Sequence, residues 1–295
     1  MMAGAAFAAD PPELIVEEVA YYPYPFVGYA ELSFSGFAAA EDGTYDFGTE
    51  TYEDSWAGLE FYGAGRIAAP ITSSFSVQGD GWVYGWTGAG EWSDSEGFGG
   101  NYDFMGAELG AAVHLSWTPS ERALIGVMGS LGANDYETAG TIAIEGSIGD
   151  EMWRAYGQIG LVTWLSDELA DASAKRVYAR GLVAYYFDPN MSLSGNLGVA
   201  KYNDDFDGGT ETLSAVAGLR FDFKPDGLPF TGFVAYQGYW WDGGDDFGTW
   251  EGTEHTVAVG MRIPIGGDSD MTLREQDDVV GLYDLNPAYG AEFIR

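Results

Sequence analysis

The feature that most constrains the fold is the alternation of apolar with small or polar residues over unusually long segments. In 213–223, Leu213, Leu219 and Phe221 share one face, while Ser214 and Arg220 lie on the other. The same pattern runs through 105–117 and 255–263. Side chains alternate between the two faces of a β-strand, and ordinary strands are only about five or six residues long. Long strands with a single apolar face are typical of tilted strands that cross a bilayer.

The links between these segments alternate in length. Four short links, rich in turn-forming residues, cover 67–69, 118–120, 188–190 and 225–228. Longer polar links cover 39–53, 87–101, 134–138, 165–174, 203–209 and 242–252. This predicts an up-and-down meander of about twelve strands, with ten or fourteen as alternatives. The strands are expected near 26–38, 54–66, 70–86, 102–117, 121–133, 139–149, 151–164, 175–188, 190–202, 210–224, 229–241 and 253–265.

Such a meander has to close within hydrocarbon, because an open edge leaves peptide groups unpaired at a cost of several kcal/mol each. We therefore predict an all-β protein, a closed antiparallel up-and-down transmembrane β-barrel over 26–265. The segment 139–149 has the weakest pattern, but without it the later turns fall on the wrong side. A soluble β-sandwich or propeller is the alternative, and the long strands with one-sided loops disfavour it.

Composition excludes several functional classes. The chain has 46 acidic and 12 basic side chains, a net charge of −34 and no cysteine. A polyanion repels nucleic-acid phosphates, so we expect no nucleic-acid partner. The missing cysteines remove disulfides, thiolate metal sites and cysteine nucleophiles. A hydrophobic fraction of 46% argues against disorder.

Aromatic residues gather towards the strand ends, as they do at membrane interfaces. The belt predicted at the long-loop end comprises Trp56, Trp82, Tyr84, Trp86, Tyr102, Trp240 and Trp241. The belt predicted at the short-turn end comprises Trp117, Phe187, Phe221, Phe223 and Phe230. The chain also has 44 glycines, which strands tolerate where a barrel bends or where backbones approach closely.

The N-terminus indicates export. Ala6-Phe7-Ala8 fits the small-x-small rule of a signal-peptidase site. We therefore expect a signal-peptide remnant over 1–8 and a periplasmic segment over 9–25. A flexible alanine-rich terminus is the alternative.

The acidic residues concentrate in the longer links. The segments 41–54, 80–103, 134–138, 166–174, 203–211 and 242–254 hold 25 of the 46 acids and no Lys or Arg. An acidic mouth of this kind concentrates cations, although a solvated surface would show the same pattern. Divalent ions could also bridge these carboxylates. Asp204, Asp205 and Asp207 are weak metal-ligand candidates, because the bidentate Glu of a calcium loop is missing at the required spacing.

A second set of charges falls at the parity opposite the apolar face. Charges facing lipid at the bilayer midplane cost about 2–4 kcal/mol, so these side chains should point inward. The pore-lining candidates are Glu31, Glu60, Arg66, Glu108, Glu145, Arg154, Arg180, Arg220, Asp222 and Arg262. They could form the field of a constriction or a salt-bridge ladder that fills the lumen. Small residues at the same parity favour a pore.

Over 26–265 the chain resembles the Gram-negative outer-membrane β-barrel class, particularly porin-like proteins of proteobacteria. The segment Gly260-Met261-Arg262-Ile263-Pro264-Ile265 looks like the final-strand signal read by the barrel assembly machinery. The resemblance implies the bacterial outer membrane, with acidic loops extracellular and both termini periplasmic. It implies outer-membrane lipids, lipopolysaccharide and the assembly machinery as partners, and it admits a homo-oligomer. Residues 266–295 depart from the class and are expected in the periplasm or folded back as a partial plug.

The function expected from these patterns is passive diffusion of small hydrophilic solutes, with a preference for cations and no cofactor. A non-conducting structural or surface-interaction barrel, with ion- or lipopolysaccharide-binding loops, is the alternative. An outer-membrane lipid hydrolase is the third reading. The only imidazoles, His114 and His255, lie outside any recognisable nucleophile motif. We therefore predict no catalytic residues.

Overall fold

The twelve predicted strands form one closed antiparallel barrel in the computed structural model, in which each strand pairs with its sequence neighbours and β1 pairs with β12. The structure describes residues 26–45, 50–120, 122–134, 138–165, 175–204, 209–266 and 271–279. The strands are β1 (Val27–Tyr45), β2 (Glu50–Pro70), β3 (Phe75–Asp94), β4 (Gly99–Ser120), β5 (Ala123–Asn134), β6 (Thr138–Gly149), β7 (Trp153–Trp164), β8 (Lys175–Asp188), β9 (Met191–Asp204), β10 (Thr210–Phe223), β11 (Thr231–Gly244) and β12 (Thr249–Gly266). One short helix, α1 (Leu273–Val279), follows the barrel. The predicted fold is thus confirmed.

Side-chain burial alternates along every strand as the period of two requires. Leu197, Ile144 and Met105 point outward and are 69%, 67% and 80% exposed, whereas Glu31 and Asp222 point inward and are buried. A continuous apolar outer surface of this size is typical of a membrane-facing surface. Within the described residues, no helix is long and apolar enough to cross a membrane.

The predicted long loops are wrong in one respect, because most of 39–53, 87–101 and 242–252 is strand. The apolar and aromatic alternation continues through them, so β1 to β4 have 19 to 22 residues, whereas β5 to β7 have 12. β5 pairs with β4 only from Glu108 towards the short turns. One side of the barrel is therefore a tall wall, made of β12 and β1 to β4. We call its free end the long-hairpin end and the opposite rim the short-turn end.

Two of the four predicted short turns, at 188–190 and 225–228, are confirmed, whereas 67–69 and 118–120 belong to β2 and β4, because the strand pairing continues through them. Between β10 and β11, Pro225-Asp226-Gly227 includes a glycine with φ of 72°, a conformation that L side chains rarely adopt. Between β6 and β7, Asp150 Oδ1 accepts hydrogen bonds from the amides of Met152 (2.8 Å) and Trp153 (3.2 Å). These backbone hydrogen bonds hold the pKa of Asp150 below its usual value.

Candidate functional site

A network of buried charges lines the inner wall near the short-turn end. Arg66 donates two hydrogen bonds to Asp80, from Nε (2.9 Å) and from Nη2 (2.7 Å). Asp80 Oδ2 also lies 3.1 Å from Nε2 of His114, whose Nδ1 lies 2.6 Å from Glu145 Oε1. Both carboxylates can only accept, so the imidazolium form of His114 satisfies both contacts. This line of charges joins four strands, β2, β3, β4 and β6.

The network continues along the wall through neutral donors. Glu145 Oε2 accepts from the hydroxyl of Tyr156 (2.8 Å) and from Nε2 of Gln158 (2.9 Å). Gln158 Oε1 in turn accepts from Tyr178 (2.9 Å) and from Nε of Arg180 (2.8 Å). Amide and phenol groups therefore extend the contacts from β6 to β8.

The other half of the network centres on Arg220. Its guanidinium donates two hydrogen bonds to Glu31 (3.0 and 2.9 Å) and also contacts Asp222 (2.8 Å). Arg262 Nε lies 3.4 Å from the same Glu31 carboxylate. The Tyr29 ring joins the two halves, with the guanidinium carbons of Arg262 and Arg66 at 4.4 and 5.4 Å from its centroid.

We call this set the lumenal charge band: Glu31, Arg66, Asp80, His114, Glu145, Gln158, Arg180, Arg220, Asp222 and Arg262. The hydrogen bonds of His114 and Arg220 join strands no more than three positions apart around the barrel. These contacts follow the inner wall, and Arg262 also donates to Asp277 of α1 (2.8 Å). A buried charge that is paired in this way is costly to separate from its partner.

Above the band, the inner face of the tall wall is aromatic. At ten inward-facing glycines, an added Cβ atom would overlap an aromatic ring of a neighbouring strand. The pairs are Gly43 with Tyr52, Gly58 with Phe37, Gly88 with Phe104, Gly90 with Tyr102, Gly106 with Trp86, Gly110 with Trp82, Gly160 with Tyr178, Gly243 with Trp250, Gly252 with Trp241, and Gly260 with Phe233. The rings therefore lie against the glycine backbone, as in the aromatic rescue of strand glycines.

This arrangement corrects the predicted aromatic belt at the long-loop end. Six of its seven members, Trp56, Trp82, Tyr84, Trp86, Tyr102 and Trp241, lie at inward positions. Five of the six have a glycine as a register partner, which provides room for the ring on the inner wall, whereas Tyr84 pairs with Tyr62 and Glu108. Trp240 faces outward, where it contacts the ring of His255, itself stacked on Tyr236.

The carboxylates of the tall wall are held by these rings. Glu108 accepts from the indole Nε1 of Trp82 (3.1 Å), and Glu60 accepts from Ser35 (2.8 Å) and from the hydroxyl of Tyr84. Phenol and indole donors stabilise a carboxylate without neutralising it. Neither ring donor brings a positive charge to these two carboxylates.

Helix α1 lies against the inner wall at the short-turn end. Asp277 accepts from Arg262 Nη1 (2.8 Å) and from the Tyr186 hydroxyl (2.7 Å), and its carbonyl accepts from Arg154 Nη1 (2.7 Å). Leu273 is fully buried. It packs with Tyr156, Leu182, Ala184 and Tyr186.

The N-terminus of α1 is closed by a capping box. The amide of Thr272 donates to Glu275 Oε2 (2.8 Å), and the amide of Glu275 donates back to Thr272 Oγ1 (3.2 Å). Beside the helix lies a cavity of about 410 Å³, lined by the short turns and by Arg122, Arg154 and Arg274. The helix therefore covers only part of this mouth.

The ten pore-lining candidates all occupy inward positions. Seven belong to the lumenal charge band, Glu60 and Glu108 lie above it, and Arg154 holds α1. Asp205 and Asp207 lie outside the described residues, and so does the side chain of Asp204. The predicted segments 1–8 and 9–25 lie outside them as well.

Three members of the charge band, Asp80, His114 and Gln158, are not among the candidates. Asp80 was counted with the long-loop acids, although its position five residues into β3 places it near a short turn, opposite Arg66. His114 lies on the same face of β4 as Glu108, and this shared parity is the sequence signal that could have identified it as an inward residue. The sequence does not show the register of β3, β4, β5 and β6, which places His114 between Asp80 and Glu145.

The comparisons with known proteins concern the barrel as a whole. An outer-membrane channel from Pseudomonas putida F1 has a TM-score of 0.53 and 12% identity, covering 88% of this chain and 100% of that one. The Escherichia coli outer-membrane protease OmpT has a TM-score of 0.41 and 11% identity, covering 84% and 100%. The P. putida toluene transporter TodX has a TM-score of 0.46 and 8% identity, covering 82% and 91%. No family model matches the chain, and no curated protein does. The chain thus has the closed β-barrel fold of Gram-negative outer-membrane proteins.

Proposed function

We propose that this protein is an outer-membrane channel for passive diffusion of small hydrophilic solutes, with a preference for cations. The observation that carries the proposal is the separation of chemistry between the two surfaces of one closed sheet. Outward side chains such as Leu197 are apolar and exposed, whereas Glu31, Arg66 and Asp222 are charged and inward. A barrel of this type has a lipid-facing outside and a polar interior.

The width of the lumen supports conduction. Barrels of about eight strands are just wide enough for side chains to fill, and those of 16 to 18 leave an aqueous channel. Twelve strands fall between these cases, so the placement of the side chains decides. Here the charge band runs along the wall and the rings lie against glycines. In this proposal α1 narrows the short-turn mouth, and the cavity beside it leaves a passage.

The distribution of charge supports the cation preference. Asp80 belongs to the charge band. The six acidic segments 41–54, 80–103, 134–138, 166–174, 203–211 and 242–254 still hold 24 other acids and no Lys or Arg. In the charge band, acidic and basic side chains instead alternate as ion pairs. Among the described residues, the basic side chains at the long-hairpin end are Lys175, Arg176 and Lys201, so acids far outnumber them there. A mouth with such an excess of one sign of charge raises the local concentration of the opposite ion. We accordingly place the long-hairpin end outside the cell and the short turns in the periplasm.

The proposed partners follow from the same surfaces. The outward apolar face would contact outer-membrane lipids, and the long-hairpin end would meet lipopolysaccharide. Gly260 and Ile265 in β12 would take part in recognition by the assembly machinery. Assembly into a homo-oligomer is compatible with this placement.

Single-channel recording of the refolded full chain in a planar bilayer tests the function. We expect discrete conductance steps, and a reversal potential in a KCl gradient that favours K⁺ over Cl⁻. The double variant Glu41→Gln/Asp54→Asn should reduce this preference, because both residues are inward. The matched control Asp42→Asn/Glu53→Gln removes the same charge from outward positions of the same two strands and should change it less. A refolded barrel without steps would exclude a channel, and an anion preference would exclude only the selectivity.

The extent of the buried charge band favours a second candidate, a non-conducting structural barrel, which predicts no conductance steps. The hydrolase reading has less support. His114 is only 1% exposed between two carboxylates, so no substrate carbonyl reaches its ring. His255 lies on the outer face with Tyr236 and Trp240, where it resembles an interface residue.

A further inference from the structure

The inner wall at the long-hairpin end carries an aromatic surface centred on Trp241. This indole lies across the backbone of Gly252 of β12, at an inward position where the side chain is partly exposed. The rings of Trp56 and Tyr239 lie with centroids 6.0 and 5.3 Å from that of Trp241, tilted by 33° and 30°. The three rings come from β2 and β11. They form one partly exposed patch across the junction of β12 and β1.

A carboxylate lies at the edge of this patch. Glu41 Oε2 accepts a hydrogen bond from Nε1 of Trp241 (2.7 Å), and Oε1 accepts one from the hydroxyl of Tyr52 (2.9 Å). Both donors are neutral, so the carboxylate keeps its charge. The surrounding segments 41–54 and 242–254 contain 11 acids and no Lys or Arg. Glu41 thus occupies the ring nitrogen of Trp241, so a ligand would meet this indole through its π-face.

These features select the chemistry of a ligand. An aromatic face carries negative partial charge and attracts a cation placed over it, and quaternary ammonium ions are the usual ligands of such faces. An inorganic ion such as Na⁺ would have to lose tightly held water to make this contact. A neutral sugar could stack on the rings and donate hydroxyl hydrogen bonds to Glu41, but it would gain no Coulombic attraction from the acids of this entrance. An ammonium ion with alkyl substituents uses both the rings and the carboxylate.

We propose that the ring faces of Trp241, Trp56 and Tyr239, beside Glu41, form a binding site for alkylated ammonium ions at the entrance of the barrel. The inference rests on the proposed channel function and deepens it by naming the solute class that this entrance concentrates. Binding itself requires only the folded barrel, so it can be measured separately from conduction.

The test is isothermal titration calorimetry, in which tetramethylammonium chloride is titrated into the refolded full chain in detergent micelles. NaCl at equal ionic strength and glucose are the comparison solutes. Trp241→Leu keeps apolar bulk but removes the π-face, and it should weaken binding about three- to thirtyfold. The control Trp240→Leu changes the adjacent tryptophan, which faces outward, and should change binding less than twofold. Glu41→Gln, which is nearly isosteric, should also weaken binding.

The outcomes separate the two proposals. Equal weakening by Trp241→Leu and Trp240→Leu, or binding of NaCl or glucose as tight as that of tetramethylammonium, would overturn the site. If Trp241→Leu fails to refold, Trp56→Leu tests the same surface from β2. Conductance steps without ammonium binding would refute the site and leave the channel. Binding without steps would refute the channel and leave the site.

Discussion

Removing the apolar anchor of α1 should release the helix from the mouth of the barrel. Leu273 is fully buried against Tyr156, Leu182 and Tyr186, while the amide of Leu273 donates to Asn190 (3.2 Å). A seven-residue helix is too short to persist alone in water. Its amides are therefore protected only while it is docked, and their exchange with solvent reports docking directly.

Leu273→Ala removes most of the apolar contact between α1 and the inner wall, and it leaves the hydrogen bonds of Asp277 to Arg262 and Tyr186 in place. Truncation of a buried leucine costs about 2–5 kcal/mol, and about 1.4 kcal/mol corresponds to a factor of ten in an equilibrium constant. Even the lower limit implies that the amides of α1 exchange about 30-fold faster in the variant. Hydrogen exchange of the refolded chain, read by mass spectrometry, measures this rate. The mean conductance should rise in parallel as the mouth widens.

The matched control is Leu228→Ala, in the turn between β10 and β11, where the side chain is 41% exposed. It should alter exchange in α1 by less than about twofold, because exposed positions away from such contacts change stability by less than about 0.5 kcal/mol. Equal protection of α1 in both variants would refute the reasoning. It would show that the helix is held by Asp277 alone, or that it is not docked in solution.

Three further predictions concern the barrel itself. Ile144→Arg places a charge at an outward position in the middle of β6 and should cost about 2–4 kcal/mol. Ile148→Arg, near the strand end, should cost about 0–1 kcal/mol, and guanidinium unfolding in lipid vesicles compares the two. Asp80→Ala leaves two buried cationic partners without their carboxylate and should destabilise the barrel by about 3–5 kcal/mol in the same assay; a loss below about 1 kcal/mol would contradict the ion-pair network. Because the folded-state pKa of Asp150 is lowered, its stabilisation of the β6–β7 turn is present above the unfolded pKa and is lost as the pH falls through the folded one. The protection factor of the Met152 amide, which is its exchange rate relative to that of the unfolded chain at the same pH, should therefore fall in acid, and Asp150→Ala should remove that pH dependence.

The strand number and the two faces could be predicted from sequence because both depend on local pattern. Alternation in 213–223 already separates Leu219 from Arg220, and the structure places them outward and inward. The residues at which the strands end were harder to predict. Segments such as 39–53 are polar and acidic, as loops are, yet they remain paired because β1 and β2 continue their register to Tyr45 and Glu50.

The site was harder to predict than the fold, because its contacts join residues far apart in the chain. Parity alone could select Glu31 and Arg220, but not the bidentate contact between them, 189 residues apart. That contact depends on closure of β12 onto β1. The same limit explains why Asp80 and His114 were missed. A register is a property of two strands, and no single strand shows it.

Register also explains why the chain is rich in both glycine and aromatic residues. In a lumen of twelve strands, a tryptophan that projects inward would occupy space needed for passage. Gly252 opposite Trp241 allows the indole to lie against β12, and Gly110 does the same for Trp82. Each of these glycines thus allows a large aromatic side chain to lie against the inner wall instead of projecting into the lumen. The ring faces and the acids share the long-hairpin end, whereas the paired charges and α1 lie at the other. In the proposed channel, the first end therefore determines which ions gather at the entrance, and the second determines how easily they leave.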